Sequence, residues 1–147
     1  ADEIECLERY IWLLRLRFGE RYTFEVSADE AVLMAETPAL VLQPLVENAV
    51  AHGLKDRETG GRVRVAARKA GDEAVLSVED TGDGMTPEEI RRVFGEDETV
   101  QECGIGLRNV IRRVTLATGG KGRVELDSVI GRGTEVRIHL PCEGGAP

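Results

Sequence analysis

Three segments alternate apolar and polar residues with the two-residue period of a β-strand that is buried on one face only. They are residues 62–68, 74–80 and 134–140, and in the first of them Val63 and Val65 alternate with arginines. A sheet with one face in water has to be covered by other elements on its second face. The sequence therefore predicts a two-layer α/β (α+β) sandwich, in which a mixed, mostly antiparallel sheet carries helices on one face.

The remaining segments complete the element order α-β-α-β-β-α-α-β-β. Pro44 lies inside the second helical pattern, where a proline predicts a kink or a break. Thr86 and Glu89 have the spacing of a capping box and predict the start of a short helix. The predicted helices span residues 3–18, 37–53, 86–94 and 104–118, and the predicted strands span residues 22–26, 62–68, 74–80, 122–128 and 134–140.

The charge and the cysteines exclude several classes of function. A net charge of −8, from 19 basic and 27 acidic residues, argues against nucleic-acid binding, because phosphate backbones attract a basic face. The same charge argues against direct contact with an anionic membrane surface. The sequence holds three widely spaced cysteines and no CxxC pair, which predicts reduced thiols rather than disulfides or a zinc site. We therefore expect a cytoplasmic domain.

Two polar residues are predicted on the buried face of the sheet. Side chains of a strand alternate between its two faces, so Asp80 lies on the same face as Leu76 and Val78. The same parity along residues 134–140 places Thr134 inward. A buried carboxylate needs a partner, and either a ligand amino group or a turn-capping N–H would serve. The carboxylate and the hydroxyl could converge on one ligand, although spacing alone does not make them neighbours. The same parity places His139 on the outer face, where we expect a solvated histidine.

Glycines and one asparagine mark three further candidate positions. Gly82 and Gly84 follow Asp80, where they allow a ligand to approach the backbone or simply form an Asp-Gly turn. Gly104 and Gly106 open a helix, and the free N–H groups at a helix start suit phosphate. Asn48 falls on an apolar helical stripe, where it either satisfies a buried backbone group or faces a ligand or metal.

Taken in order, these motifs resemble the ATP-binding catalytic domain of sensor histidine kinases. Their order is that of the N, G1, G2 and final Gly-Thr boxes of the gyrase–Hsp90–histidine kinase–MutL superfamily. The amino-acid sequence of these motifs, and of the preceding segment at residues 8–26, is most similar to that of the LytS-like kinases, so the resemblance covers nearly the whole chain. The matching segments are residues 42–49 (LQPLVENA), 52–53 (HG), 80–84 (DTGDG), 104–109 (GIGLRN) and 131–134 (GRGT).

The resemblance implies a Bergerat-type fold that binds ATP and Mg²⁺ between helices and sheet, under a short lid at residues 95–103. It implies that Asp80 accepts a hydrogen bond from the adenine amino group and that Thr134 supports Asp80 or a bridging water. It also implies that Asn48 holds Mg²⁺ through its side-chain oxygen. The implied ATP-binding residues are Asn48, Asp80, Gly82, Gly84, Met85, Gly104, Ile105, Gly106, Leu107, Arg108 and Thr134.

The sequence departs from the family pattern at three points, which affect the expected ATP hydrolysis, phosphate contacts and phosphoacceptor. ATPases of the superfamily have a glutamate four residues before the Mg²⁺ asparagine, but this position is Pro44 here, which predicts slow ATP hydrolysis. Many kinases of the superfamily have a lysine where Ala51 stands, so Arg108 and Lys55 become candidates for contacts with phosphate. No histidine occurs in residues 1–51, so the chain carries no phosphoacceptor of its own there.

The resemblance also implies how the chain is divided and what it works with. Residues 1–20 would be a helix linking to a dimerisation and phosphohistidine domain outside this chain, residues 21–142 the ATP-binding catalytic domain and residues 143–147 a tail. The domain would donate the γ-phosphoryl group of ATP to that histidine, with a response regulator downstream. The parent protein would be a homodimer anchored in the inner or plasma membrane.

Other functions of the same motifs remain open at this point. One is an ATPase-type conformational switch of the same superfamily, against which Pro44 argues. A second is a non-enzymatic binding domain, in which the motifs survive as turns without nucleotide. A third is a serine kinase related to those that phosphorylate anti-sigma antagonists.

Overall fold

The computed structural model describes residues 2–33, 42–53, 60–95 and 105–141. A 3-10 turn at Gly19–Arg21 follows the first helix, and a π-helical turn at Ala49–Gly53 follows the third. The helices are α1 (Asp2–Phe18), α2 (Glu30–Leu33), α3 (Leu42–Asn48), α4 (Pro87–Phe94) and α5 (Ile105–Ala117). The strands are β1 (Tyr22–Ala28), β2 (Gly61–Ala70), β3 (Glu73–Asp80), β4 (Arg123–Val129) and β5 (Gly133–Pro141).

The strands form one five-stranded sheet in the order β1-β2-β3-β5-β4. β1 runs parallel to β2, and the other three pairs are antiparallel. The mixed, mostly antiparallel sheet predicted from the sequence is therefore confirmed. β2 and β3 form a hairpin whose turn contains Gly71, and the φ of +63° at this glycine suits a residue without a Cβ.

Helices cover one face of this sheet, as the alternating strands predict. α1, α3 and α5 each contact a strand, and their apolar sides join the inward side chains of the strands in one core. The other face of the sheet carries arginines and glutamates. The core side chains that are nearly or fully buried include Leu7, Ile11, Leu42, Val46, Val63, Val65, Leu76, Leu107, Val110 and Ile138.

The ends of three helices test the local predictions. The capping box is confirmed, since Thr86 accepts from the backbone N–H of Glu89 and the Glu89 side chain accepts from the N–H of Thr86. Pro44 does not interrupt the described helix, because α3 is continuous from Leu42 to Asn48. Pro44 is the third residue of α3, and a proline is tolerated near the start of a helix. α2 was not predicted, because four residues are too few to show a helical period.

Several predicted features fall outside the described residues. They are the start of the second helix at residues 37–38, the lid at residues 95–103 except Gly95, and the positions Gly104 and Lys55. Among the helices of the described ranges, none has both the length and the hydropathy that crossing a bilayer requires.

His139 lies on the outer face of the sheet, but the prediction that it is solvated is wrong. Its side chain is only 13% exposed, and Nδ1 lies 3.1 Å from Oε2 of Glu73. Nε2 lies 3.4 Å from Oε1 of Glu125 on the other side of the ring. Arg123 bridges the same two carboxylates, so long side chains from neighbouring strands cover the imidazole.

The Glu73→Gln substitution is expected to reduce the acid sensitivity of the fold. A hydrogen bond from Arg123, which has the larger effect, and one from His139 hold the pKa of Glu73 below its ordinary value of 4.5. The charged carboxylate therefore stabilises the folded chain fully above about pH 4.5, and this contribution is lost as the pH falls through the lower folded-state pKa. Thermal unfolding followed from about pH 7 to about pH 2 should show a shallower acid-dependent fall in Tm for this variant.

Glu79→Gln provides a matched control, because Glu79 is exposed on the same strand. This control should keep the acid dependence of the unsubstituted chain. Equal acid dependence in all three proteins would contradict the assignment of the effect to Glu73.

Candidate functional site

Asp80 and Thr134 lie side by side on the buried face of the sheet. Asp80 is the last residue of β3, Thr134 is the second residue of β5, and the two are direct partners in the antiparallel register. Their exposed fractions are 7% and 8%, and they are the buried polar side chains of the described residues. The inward orientation predicted from parity is confirmed. The pairing of β3 with β5 makes the two residues neighbours, which the sequence alone could not show.

The Asp80 carboxylate caps the turn that follows β3. Its Oδ1 accepts a hydrogen bond of 2.9 Å from the backbone N–H of Gly82. An ionised carboxylate has about four acceptor positions, so it can accept from more than one donor at a time. The turn-capping role that the sequence left open is therefore real, and it is compatible with a ligand contact through the same carboxylate.

Two glycines bring the backbones around Asp80 into close contact. Gly133 has φ +126°, and a Cβ placed on it would lie 2.0 Å from the carbonyl oxygen of Asp80. Gly84 has φ +77°, and a Cβ there would lie 2.2 Å from the carbonyl oxygen of Val129. Gly84 is therefore required by the packing of its own loop against the β4–β5 hairpin, whatever else approaches it.

Ser128 belongs to the same cluster and was not singled out from the sequence. Its Oγ accepts a hydrogen bond of 2.6 Å from the N–H of Met85 and lies 2.8 Å from Oγ1 of Thr134. Ser128 and Thr134 are register partners between β4 and β5. The signal for it is the alternation along residues 122–128, which places Ser128 on the same face as Val124 and Leu126.

The C-terminal end of α3 approaches the same two strands. The π-helical turn after Asn48 contacts both β3 and β5, and π-turns are frequent at functional sites. Asn48 itself is half-buried, one turn after the buried Leu45. The residues that directly follow Asn48 therefore pack against the two strands that carry Asp80 and Thr134.

Glu47, next to Asn48 in α3, interacts with residues of α3 and α1. Its side chain is exposed and accepts a hydrogen bond of 3.2 Å from Nε2 of Gln43. Partial burial raises the pKa of Tyr10 in α1, and the negative charge of Glu47 raises it further. Glu47 thus lies on the side of α3 that faces α1.

The first turn of α5 supplies the other sequence-predicted positions. Leu107 is buried, Gly106 and Arg108 are half-buried, and Ile105 is the first helical residue. The guanidinium of Arg108 donates to the carbonyl oxygen of Gly95, directly after α4. This contact fixes the start of α5 against the end of α4, so Arg108 has a structural role in the described state.

The chain matches a known family and superposes on solved structures. Residues 35–144 match the model of the histidine kinase-, DNA gyrase B- and HSP90-like ATPase family. The catalytic domain of histidine kinase ThkA superposes with a TM-score of 0.70 at 17% identity, covering 95% of each chain. The mycobacterial sensor histidine kinase MprB superposes with a TM-score of 0.65 at 26% identity, covering 94% of this chain and 93% of that one.

Curated relatives are longer proteins. The sensor histidine kinase YesM of Bacillus subtilis is 32% identical over 141 residues, which cover 96% of this chain and 23% of the relative. The sensor protein LytS of Enterococcus faecalis is 30% identical over 145 residues, which cover 97% of this chain and 24% of the relative. The chain thus spans about a quarter of the length of the curated relatives it matches.

Proposed function

The chain belongs to the histidine kinase-, DNA gyrase B- and HSP90-like ATPase family, and on that basis we propose that it is the ATP-binding catalytic domain of a two-component sensor histidine kinase. The observation that carries the proposal is the buried pairing of Asp80 and Thr134 at the ends of two central strands. A carboxylate that is 7% exposed is recognised through hydrogen-bond donors, and a purine amino group can donate to it in addition to the N–H of Gly82.

Asp80 selects the base in this proposal. Its carboxylate accepts a hydrogen bond from the exocyclic amino group of adenine, in addition to the bond from the N–H of Gly82. Guanine presents a carbonyl oxygen at the corresponding position, which a carboxylate repels. Thr134 supports this contact directly or through a water, because it lies opposite Asp80 in the register. Gly84 and Met85 follow Asp80 in the loop that borders the base.

Asn48 and the start of α5 hold the metal-bound phosphates. Mg²⁺ in nucleotide sites is usually bound through one or two protein oxygens together with phosphate oxygens, so a single asparagine oxygen fits the group. When bound, Mg²⁺ neutralises charge on the phosphates. The backbone N–H groups of Gly106 and Leu107 lie at the start of a 13-residue helix, where the helix dipole favours anions. Arg108 and Lys55 are the proposed cationic contacts.

The Asn48→Ala substitution is expected to weaken the Mg²⁺-dependent part of ATP binding more than the Mg²⁺-independent part. The lost oxygen contacts the metal and not the base, so binding measured in excess chelator should change by less than about twofold. With Mg²⁺, the affinity should fall by about tenfold or more, the loss that follows from removing one strong polar contact. Calorimetric titration with and without Mg²⁺ measures both, and an equal loss under the two conditions would make Asn48 a scaffold residue.

The proposed reaction is phosphoryl transfer to a histidine on a separate domain, with little hydrolysis. Pro44 occupies the position from which a glutamate would activate water, and the negative charge of Glu47 acts on Tyr10 of α1. The acceptor would lie on an upstream dimerisation domain that residues 1–20 join to the catalytic domain at residues 21–142. The exposed Trp12, Leu13 and Leu16 of α1 suit contact with that domain. The parent would be a membrane-anchored homodimer that passes the phosphoryl group to a response regulator.

Labelled ATP provides the direct test of this function. The chain is mixed with Mg²⁺, labelled ATP and the dimerisation domain of its parent, and we expect label on that domain that acid removes and base does not. Omitting the dimerisation domain should leave the chain unlabelled and phosphate release slow. Rapid, sustained phosphate release without an acceptor would instead favour the ATPase-type conformational switch.

A further inference from the structure

Ser128 makes three polar contacts at the centre of the site. The N–H of Met85 donates to Ser128 Oγ at 2.6 Å, and Ser128 Oγ donates to the carbonyl oxygen of Gly133 at 2.9 Å. The third contact, at 2.8 Å, joins Ser128 Oγ to Oγ1 of Thr134, where either hydroxyl could be the donor. These contacts connect the loop after β3, the β4–β5 hairpin and the hydroxyl that lies opposite Asp80.

Counting protons decides the direction of the third contact. A serine hydroxyl has one proton to donate and two lone pairs that accept. The carbonyl of Gly133 can only accept, so it takes the Ser128 proton, and the N–H of Met85 takes one lone pair. The remaining lone pair is satisfied only if Thr134 donates its own proton to Ser128. The one proton and the two lone pairs of Ser128 Oγ then each have a partner, which is the arrangement that buried groups favour.

If Thr134 donates to Ser128, its hydroxyl can form further hydrogen bonds only as an acceptor. Once its proton is committed to Ser128, the free lone pair of Thr134 Oγ1 can only accept. We propose that Ser128 is a positioning residue for base recognition, which holds the Thr134 hydroxyl as an acceptor beside the Asp80 carboxylate. This inference rests on the proposed binding of adenine nucleotides at Asp80.

Two adjacent acceptors explain how the site distinguishes purines. An amino group, or a water that donates to both residues, fits a carboxylate next to an acceptor hydroxyl. A carbonyl oxygen in the same place would face two hydrogen-bond acceptors and no donor, so it would be repelled. If the Thr134 hydroxyl could turn over, it would donate to a guanine carbonyl and weaken the discrimination. Ser128 prevents that rotation by accepting the Thr134 proton, without itself contacting the base.

Substitution of Ser128 tests the inference through the ratio of ATP to GTP affinity. Calorimetric titrations with Mg²⁺ should show the ratio falling by about five- to tenfold in Ser128→Ala, the factor that one neutral hydrogen bond contributes. Ser128→Thr keeps the hydroxyl and should restore the ratio. Ser77→Ala is the matched control, because Ser77 is a half-buried serine of β3 on the opposite parity to Asp80, and it should leave the ratio unchanged.

A double substitution shows whether Ser128 acts through Thr134. Thr134→Val removes the hydroxyl, so Ser128→Ala should have no further effect on the ratio in that background. A purely structural role for Ser128 would lower the Tm without changing the ratio. That result, or an undiminished effect of Ser128→Ala in the Thr134→Val background, would overturn the inference.

Proton NMR of the nucleotide-free chain separates this inference from the proposed function. We expect a Thr134 hydroxyl proton that is protected from exchange with water, and we expect that protection to be lost in Ser128→Ala. A protected Ser128 proton directed at Thr134 Oγ1 would overturn the inference even if ATP binds. An unsubstituted chain that binds neither nucleotide contradicts the proposed function, and the NMR measurement then decides the hydroxyl orientation by itself.

Discussion

The Asp80→Asn variant is expected to lose adenine-nucleotide binding by about 100-fold while remaining folded. The asparagine oxygen can still accept from the N–H of Gly82, which preserves the turn after β3. Its NH₂ group then replaces the acceptor that would face the adenine amino group, so two donors oppose each other. Hydrogen bonds to a charged partner contribute about 1.5–3 kcal/mol, which corresponds to a loss of roughly 10- to 150-fold before that repulsion is added. Calorimetric titration measures the loss.

Asp83→Asn is the matched control for this prediction. Asp83 lies in the same loop, but its side chain is exposed, so its substitution changes the net charge equally without altering the buried face. The control should bind ATP with nearly unchanged affinity, and thermal unfolding should show both variants folded. Unchanged affinity in Asp80→Asn would remove Asp80 from the base site.

The Gly133→Ala substitution is expected to cause the largest loss of stability, at least about 3 kcal/mol of the free energy of unfolding. A Cβ on Gly133 would lie 2.0 Å from the carbonyl oxygen of Asp80, and the φ of +126° is one that side chains rarely adopt. Relief of the clash requires the ends of β3 and β5 to separate. That separation would also displace Thr134, so nucleotide affinity should fall together with stability. Urea unfolding measures the first effect.

Gly131→Ala separates conformational strain from the steric clash. Gly131 is in the same hairpin turn with φ +84°, but nothing lies within 4 Å of a Cβ placed there. This variant should lose only about 1–2 kcal/mol, the usual cost of a left-handed conformation for a non-glycine residue. Equal losses in the two variants would mean that the contact with Asp80 is not tight.

The orientation of the site residues could be predicted from the sequence because strand parity is a local property. Asp80 and Thr134 each follow the two-residue period of an apolar strand, and both lie inward in the structure. Their pairing could not be derived in the same way. β3 and β5 are separated along the chain by α4, α5 and β4, so their register depends on non-local packing.

Other features of the fold depend on contacts that the sequence does not show. His139 was expected in water because parity reports only the face of a sheet, and parity says nothing of long side chains on neighbouring strands that cover a ring. The sequence left Gly84 open as a place for a ligand or as part of an Asp-Gly turn, and only the fold shows that the backbone of Val129 takes its Cβ position. The change from α-helix to π-helix after Asn48 has no local signature comparable to a proline or a cap.

A crystal structure of the chain with Mg²⁺ and a non-hydrolysable ATP analogue would show directly whether Asp80 binds the base. We predict the adenine amino group within hydrogen-bonding distance of the Asp80 carboxylate, with the metal-bound phosphates between Asn48 and the first turn of α5. An analogue bound elsewhere, or an Asp80 paired with an arginine and no space beside it for a base, would contradict the assignment of Asp80 to the base site.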